Sequence, residues 1–264
     1  MKRKLWTLLL ALGAALALCA GASAQTVETN FYEALHVTNG SIKLENDFFY
    51  ENVMEVDNNL TIDLNGYVLT IPKSICVNSG AHLTIKDSGT TAEHKFTPDA
   101  NGLWVLDEAN GTETVCGGVI TGGTGYQYQK THPTGEGYTV EAGGGVCVKV
   151  GGKLTMEGGN IVGCTTAHGY GGGVYVEGNF SMTGGSIIGC AANRGGGVYM
   201  AVGDNESAAF SMSGNAIIRC CKAVSSDASG GGVYALGKFT MSDNAAIRDC
   251  ECSSNSGSAM GGGV

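Results

Sequence analysis

Apolar and polar residues alternate in short runs through the second half of the chain. In each run two apolar side chains flank one small or polar residue, as in Val146–Val148, Leu154–Met156 and Phe180–Met182. A period of two is that of a β-strand with one buried face, whereas a helix repeats its apolar positions every 3.6 residues. Pairs such as Gly-Gly, Gly-Asn and Asp-Asn separate the runs and permit sharp turns. The pattern therefore predicts many short strands joined by tight turns.

These strands belong to a repeat. Its first four copies begin with Gly-Gly-Gly-Val and continue with a short strand ending in Met and then with Ile-x-x-Cys. The spacing between copies varies because interruptions lengthen the later ones. Three strands in roughly 24 residues predict one coil of a parallel β-helix, in which each strand pairs with its equivalent in the next coil. A β-propeller, the alternative, needs four antiparallel strands and a longer repeat. The five Gly-Gly-Gly-Val phrases begin at Gly143, Gly171, Gly195, Gly230 and Gly261.

The chain is predicted to have three regions. Residues 1–24 are typical of a secretory signal, because a basic start, an apolar stretch and Ala22-Ser23-Ala24 follow one another. A membrane anchor is the alternative for this stretch. Residues 25–140 are predicted to hold an N-terminal cap and irregular coils with loop insertions. Residues 141–264 hold the regular repeats, of which the last is incomplete, and this indicates a longer natural protein.

The pattern in residues 25–140 is less regular. Phe31–His36 is predicted as a short amphipathic helix that caps the first coil. Stretches 87–98 and 124–137 are predicted as loops, as are the interruptions 201–209 and 221–229 of the later repeats. Specificity is expected in 124–137, 201–209 and 221–229, because these loops project from a uniform stack of coils. Strands are predicted at Ser41–Leu44, Leu60–Leu64, Ile75–Val77, His82–Ile85, Leu103–Leu106 and Gly118–Thr121.

The net charge limits the partners. The whole chain carries −9, and the part after residue 24 carries about −12 because the signal holds three basic and no acidic residues. Such an acidic chain argues against nucleic acid and against an anionic membrane surface. No stretch after the signal is apolar enough to span a bilayer.

Nine cysteines follow the signal, and four of them are predicted to share one repeat position. Stacked coils would place their Cα atoms about 4.8 Å apart, a separation that a disulfide accepts. Export permits oxidation, so Cys164–Cys190 and Cys220–Cys250 bridges are one interpretation. Buried thiols that fill a turn position are the preferred interpretation, because equal register aims stacked side chains parallel to one another. No Cys-x-x-Cys pair points to a metal, and no metal site is predicted.

A second column is aromatic. Tyr175, Tyr199 and Tyr234, with Cys147 before them, lie between two inward apolar residues and are predicted to point outward. Stacked tyrosines offer a flat apolar surface with polar ends, which suits a sugar ring or a partner protein. A ladder that only stabilises the sheet is the alternative.

Catalytic signals are weak. The acids of the repeats are scattered over turns and interruptions, and no carboxylate pair across a cleft is identifiable. We therefore predict no catalytic residue and no cofactor. The acids considered for catalysis are Asp204, Glu206, Asp227, Asp243 and Asp249.

Three strings carry a resemblance to a known family. Leu60–Thr70, Ser79–Ser88 and Gly117–Gly123 resemble large exported surface proteins of anaerobic gut bacteria. The Gly-Gly-Gly-Val-Tyr-Val phrases are similar, more loosely, to the Gly-Gly-Ala-Ile repeats of chlamydial polymorphic outer-membrane adhesins. The resemblance implies a right-handed, three-stranded, pectin-lyase-like β-helix and cell-wall attachment in a region beyond Val264. It brings no catalytic motif, and the Ile-x-x-Cys position departs from the Asn that is usual in such repeats.

These observations predict an exported structural or adhesin-type protein, secreted or held at the cell surface. Its expected partners are host glycans, mucin or surface proteins, contacted through exposed faces and loops. A carbohydrate-active enzyme, either a polysaccharide lyase or a hydrolase, is the alternative that fold analogy suggests. A noncatalytic glycan-binding module that uses the tyrosine column is a third.

Overall fold

The computed structural model describes residues 33, 35–36, 39–131, 135–201, 208–254 and 256–264. The regular secondary structure of the described residues is almost entirely β, and most of the strands are parallel and belong to stacked sheets. The predicted all-β solenoid of parallel strands is therefore confirmed. The predicted signal lies outside the described residues, as does half of the predicted helix Phe31–His36. Of that segment Glu33, Leu35 and His36 are helical, and Leu35 is buried against the core.

Sheet A contains seven parallel strands in register. Its inward side chains form one Leu/Phe column and one Ile/Met column, in which Phe180 and Phe210 stack with ring centroids 4.6 Å apart. The predicted inward alternation of Leu154, Met156, Phe180 and Met182 is confirmed, since all four are buried. The strands are β1 (Gly40–Lys43), β4 (Leu60–Asp63), β7 (His82–Lys86), β15 (Lys153–Met156), β18 (Asn179–Met182), β22 (Ala209–Met212) and β26 (Lys238–Met241).

Sheet B also contains seven parallel strands. Its central inward positions are isoleucines in the regular coils, such as Ile161 and Ile187, which are fully buried. The strands are β2 (Phe48–Phe49), β5 (Val68–Thr70), β11 (Val119–Thr121), β16 (Asn160–Val162), β19 (Ser186–Ile188), β23 (Ile217–Arg219) and β27 (Ala246–Arg248).

Sheet C contains six parallel strands, and a small sheet D accompanies it in the later coils. The valines of the first four Gly-Gly-Gly-Val phrases open strands of sheet C. The predicted loop 221–229 is wrong over its first half, which forms a strand of sheet D. The strands of sheet C are β3 (Met54–Val56), β6 (Ile75–Val77), β14 (Val146–Val148), β17 (Val174–Val176), β21 (Val198–Met200) and β25 (Val233–Ala235), and those of sheet D are β20 (Ala191–Ala192), β24 (Lys222–Ser225) and β28 (Glu251–Ser254).

The glycines of the repeat have two separate roles. The first glycine of each phrase has a positive φ, 57° at Gly143 and 68° at Gly171, which side chains rarely adopt. The third faces the core: a Cβ on Gly173 would lie 2.6 Å from Ile187 Cγ2 and 3.5 Å from Cys190 Sγ. The phrase therefore supplies both the turn and the room for the Ile-x-x-Cys of the same coil.

A three-stranded antiparallel sheet covers part of the outer face of sheet B. It consists of β8 (Glu93–Pro98), β9 (Trp104–Leu106) and β10 (Glu113–Cys116). Trp104 and Phe96 pack with Val162 and Ile188 in a second apolar cluster. The predicted loop 87–98 is therefore wrong over its second half, and the predicted strand Leu103–Leu106 belongs to this insertion rather than to a coil. The insertion packs on sheet B because that sheet has apolar side chains on its outer face, and their burial removes an apolar patch from water.

A β-hairpin covers the outer face of sheet C. The stretch 124–137, predicted as a loop, forms β12 (Tyr126–Thr131) and leads into β13 (Gly137–Ala142), and the two pair antiparallel. Val140 and Ala142 of this hairpin pack with Cys147, Tyr175 and Tyr199. Most of the interruption 201–209 lies outside the described residues. Within the described part of the chain, no strand of either insertion pairs with sheet A, whose outer residues apart from the buried Asp63 are exposed or half-buried.

Candidate functional site

The tyrosine column forms, but it is not an open face. Tyr175, Tyr199 and Tyr234 pair in register, with ring centroids 5.5 Å and 5.2 Å apart. Only 3% of Tyr175 and 8% of Tyr199 are exposed, because the hairpin and Tyr170 cover them. Tyr234 is half-buried. The rings point away from the coil interior as predicted, but no sequence pattern indicates the hairpin above them.

A buried carboxylate fixes the hairpin on this column. Glu177 is 2% exposed and accepts hydrogen bonds from the hydroxyls of Tyr128 at 2.9 Å and Tyr175 at 3.0 Å. The ammonium of Lys130 completes the set with a salt bridge to the same carboxylate. Because two of these three groups belong to the hairpin, the network joins the hairpin to sheet C.

Burial changes the acidity of these phenols. It raises the pKa of Tyr128 and of Tyr175 above the ordinary value. It also raises the pKa of Tyr199 to about 12, with Tyr170 and Tyr234 adding to the effect and Arg194 opposing it. Tyr128, Tyr175 and Tyr199 are therefore neutral phenols at physiological pH.

The first residues of this outer column include two cysteines. Cys76 and Cys147 pair in register, both fully buried, and Lys149 lies next to them beneath the hairpin. The Lys149 ammonium lies 4.9 Å from the ring centroid of Tyr126. Burial opposes the charge of Lys149, but Cys76, Tyr126 and Glu55 together outweigh it and raise its pKa.

The predicted cysteine column requires one correction. Cys164, Cys190 and Cys250 occupy it, but the third position belongs to Cys221 and not to Cys220. Ile218, rather than Ile217, pairs with Ile187, so the Ile-x-x-Cys motif of this coil begins one residue later than predicted and ends at Cys221. Cys220 instead occupies a turn position with a φ of 55°.

The thiols of this column form no disulfide, and each is hydrogen-bonded to the backbone. Each donates to the carbonyl two residues before it, at 3.7 Å for Cys164, 3.4 Å for Cys190, and 3.3 Å for Cys221 and Cys250. Burial raises the pKa of the Cys190 thiol well above its ordinary value. The nine cysteines of the described residues are all free thiols.

The outer face of sheet A carries a continuous column of hydroxyl groups that sequence analysis misses. Each strand contributes the residue between its two inward apolar positions, and the pairing is in register throughout. None of these residues is buried. The sequence does show a hydroxyl residue in the middle of each Leu-Thr-Met and Phe-Ser-Met string. Only the structure shows that the hydroxyl residues of the earlier strands lie in the same column. The members are Ser41, Thr61, Thr84, Thr155, Ser181, Ser211 and Thr240.

A shallow groove follows this hydroxyl column. Its volume is about 310 Å³, and Ser181, Ser211 and Thr240 line it between Lys153 and Lys238. The imidazole of His82 lies 2.8 Å from Thr155 Oγ1. Burial and then the nearby Lys153 lower the pKa of His82, so its ring is neutral at pH 7 and shares a hydrogen bond with the hydroxyl. The groove thus offers donors and acceptors at about 4.8 Å intervals and a cation at either end.

The acids considered for catalysis do not assemble a site. Asp204 and Glu206 lie outside the described residues. Asp243 accepts a hydrogen bond from the Gly214 amide at 3.0 Å, and Asp249 lies 3.3 Å from Arg248 on the surface. Among the described side chains no three His, Cys, Asp or Glu residues are arranged to hold a metal ion. Within the same residues no helix has the length and apolar character needed to cross a bilayer.

Comparison with models of protein families, with characterised proteins and with solved structures finds no match to this chain. The candidate site therefore depends on the geometry of the sheets alone.

Proposed function

We propose that this chain is an exported, noncatalytic adhesin-type protein that binds a carbohydrate chain along the outer face of sheet A. One observation carries the proposal: insertions cover parts of the outer faces of sheets B and C, whereas the regular hydroxyl column of sheet A has no such cover among the described residues. Hydroxyl groups both donate and accept hydrogen bonds, as the hydroxyls of sugars do. A face that repeats one hydroxyl per coil suits a ligand that also repeats.

The proposed ligand is a linear glycan with acidic substituents. Lys153 and Lys238 lie three strands apart on a chain whose overall charge is negative, so the groove is a local basic region. Paired positive charges at that spacing, about 14 Å, favour carboxylate or sulfate groups on the glycan. Host mucin carrying such groups is the partner that we propose.

We also propose that the stacked coils form a right-handed β-helix with three strands per coil. The handedness follows the rule for parallel strands joined by a crossover connection. The run of residues 1–24 supports export to the cell surface or the medium, and attachment to the cell wall is proposed for a region beyond Val264. The helical N-terminal cap is part of the same proposal.

The test is a binding screen of the chain from Gln25 onward on glycan and mucin arrays, with substrate turnover read in the same wells. We expect retention on acidic glycans without turnover, and at least a tenfold loss for the triple variant Thr155→Val, Ser181→Ala, Ser211→Ala. The matched control is Ser226→Ala with Ser256→Ala, two exposed serines away from sheet A. Turnover would favour the carbohydrate-active enzyme, and equal binding by the triple variant would contradict the proposed face.

A further inference from the structure

His82 extends the basic side of the groove on sheet A by one coil. It begins β7 and pairs in register with Lys153, which begins β15 and is the cation at one end of the groove. Neighbouring strands lie about 4.8 Å apart, so the two side chains leave the same face of the sheet side by side. His82 is half-buried and Lys153 is exposed. An anionic group that binds the ammonium of Lys153 therefore also lies close to the imidazole.

The imidazole of His82 is linked to the hydroxyl column. Its Nε2 lies 2.8 Å from the Oγ1 of Thr155, on the strand that also carries Lys153. A neutral imidazole has one N–H, and its Nε2 can accept the hydroxyl hydrogen of Thr155. An imidazolium carries a hydrogen on both nitrogens, so its Nε2 can only donate to Thr155 Oγ1. The hydroxyl hydrogen of Thr155 is then free to bond to a ligand oxygen.

The charged groups around His82 belong to three strands and their ends. On its β15 side lie Lys153 and, directly after that strand, Glu157. On its β4 side the ionisable residue of the strand is Asp63, which pairs with Lys86 at the far end of β7. Burial, followed by Lys153, lowers the pKa of His82 below its ordinary value of 6.5, and Glu157 opposes them. The ring is therefore neutral at pH 7 without ligand, and an anion placed beside Lys153 would favour its protonated form.

We propose that His82 is a proton-linked contact for the acidic substituents of the glycan, so that the chain binds this ligand more tightly as the pH falls below neutral. The inference rests on the proposed function, because it concerns the same groove and the same class of ligand. Protonation supplies a second cation beside Lys153 and makes the hydroxyl hydrogen of Thr155 available to the ligand. Each of the two binding events, of the proton and of the anion, raises the affinity for the other by the same factor.

The first test measures binding of dextran sulfate, with uncharged dextran as its counterpart, to the chain from Gln25 onward at pH 5.0 and pH 7.5. Sulfate esters stay ionised over this range, so a change in affinity reports on the protein. We expect dextran sulfate to bind about tenfold more tightly at pH 5.0, because one charge-assisted hydrogen bond is added. In His82→Gln this ratio should fall to about twofold or less. His168→Gln, which removes an exposed histidine outside the strands of sheet A, should keep the ratio of wild type.

The NMR titration of the His82 imidazole is a second readout. Saturation with dextran sulfate should raise the midpoint of this titration by about one pH unit, the change that a tenfold linkage requires. Without ligand, Lys153→Gln should raise the midpoint, because it removes the neighbouring cation. Lys238→Gln is the matched control, since it removes the same charge four strands from β7, which is about 19 Å and beyond the range of screened charges in physiological salt. It should leave the midpoint unchanged.

The outcomes distinguish this inference from the proposed function. Equal affinity of wild type at both pH values, or the same ratio in His82→Gln as in wild type, would overturn the role of His82 while the groove remains a glycan site. A titration midpoint that saturating dextran sulfate does not move would overturn it in the same way. Absence of dextran sulfate binding at either pH would overturn both, because the proton would then be linked to no ligand.

Discussion

The phenol of Tyr128 donates a hydrogen bond of 2.9 Å to the carboxylate of Glu177, and this bond ties the hairpin to sheet C. The contact joins residues 49 positions apart in the chain. Glu177 is almost fully buried, whereas the hairpin carries exposed residues such as Tyr138. Hairpins on their own are marginally stable, so this one depends on its contacts with the sheet.

Replacement of Glu177 by Gln is expected to loosen the hairpin. It removes the charge that pairs with Lys130 and weakens the acceptor for Tyr128 and Tyr175, with an expected cost of about 2 kcal/mol in the free energy of unfolding. Hydrogen exchange of the amides of β12 and β13 should increase, while exchange in sheet A stays the same.

Glu251→Gln is the matched control for that change. Glu251 pairs with Lys222 at 3.3 Å, but its side chain is 63% exposed. An exposed pair contributes little, so we expect a change below about 1 kcal/mol. Equal protection of the hairpin amides in Glu177→Gln and wild type would show that the buried network does not hold the hairpin.

Gly173→Ala is expected to destabilise the coil stack. The new methyl group would lie 2.6 Å from Ile187 Cγ2 and 2.7 Å from the Gly197 carbonyl oxygen, so the backbone of two coils has to move. Overpacking of this kind costs about 1–3 kcal/mol, which urea unfolding would detect as a lower midpoint.

Gly137→Ala provides the comparison for Gly173→Ala. Gly137 also lies in a strand, but its nearest neighbour to an added Cβ is the Lys130 carbonyl oxygen at 3.9 Å. We expect a midpoint within experimental error of wild type or slightly above it, because alanine restricts the unfolded chain more than glycine does. Similar losses in both variants would refute the steric explanation.

The fold is expected to lose stability at high pH through the tyrosine column. Burial first, then Tyr170 and Tyr234, raise the pKa of Tyr199 from 10.0 to about 12 in the folded chain. The neutral phenol is thus favoured by folding, so its contribution is complete below pH 10 and is lost as the pH rises through about 12. The loss is on the order of 1–2 kcal/mol after allowance for solvent screening, and urea titrations between these pH values should detect it. Tyr199→Phe should make the profile less steep, while Tyr128 and Tyr175, whose pKa values burial also raises, retain the rest of the slope. A Tyr199→Phe profile as steep as that of wild type would contradict the assignment.

Trp104 should report the docking of the antiparallel insertion. It is the single tryptophan after the predicted signal, is 4% exposed, and has the Arg219 guanidinium 4.9 Å from its ring centroid. We expect its fluorescence emission to shift to longer wavelength when β8–β10 leave sheet B. Trp104→Ala should cost about 3 kcal/mol, because it uncovers Val162 and Ile188. An emission maximum typical of exposed indole in the native chain would contradict this docking.

Because the sequence repeats, the residues that face the coil interior can be predicted from it. Leu154, Met156, Phe180 and Met182 alternate with polar residues, and each recurs at the same place after Gly-Gly-Gly-Val, so their inward direction requires no knowledge of other parts of the chain. The insertions have no such periodicity. Among the described strands, Tyr126–Thr131 pairs with the strand that follows it and with no other. Its aromatic residues do not indicate that they cover Tyr175.

The error at Cys220 has a specific physical cause. Two adjacent isoleucines, Ile217 and Ile218, allow two frames for the same motif, and the spacing to Cys220 or Cys221 does not decide between them. The turn position before the column cysteine has a positive φ and is Gly189 in the preceding coil. In the next coil this turn position is Cys220 instead of glycine. The sequence therefore lacks the glycine that would have shown that Cys221 is the column cysteine.

Leu83 pairs with Leu154 across a long interval of chain, whereas Leu154 pairs with Phe180 of the very next repeat. The long interval contains both insertions, yet the two coils stack in register as neighbours elsewhere do. Folding rates fall as contacts become less local, since the chain between them must be closed first. The junctions of β5 with β11, of β6 with β14 and of β7 with β15 are therefore the slow step that we expect in assembly. The coils on either side can form from local contacts, whereas these three pairings must close long intervals of chain.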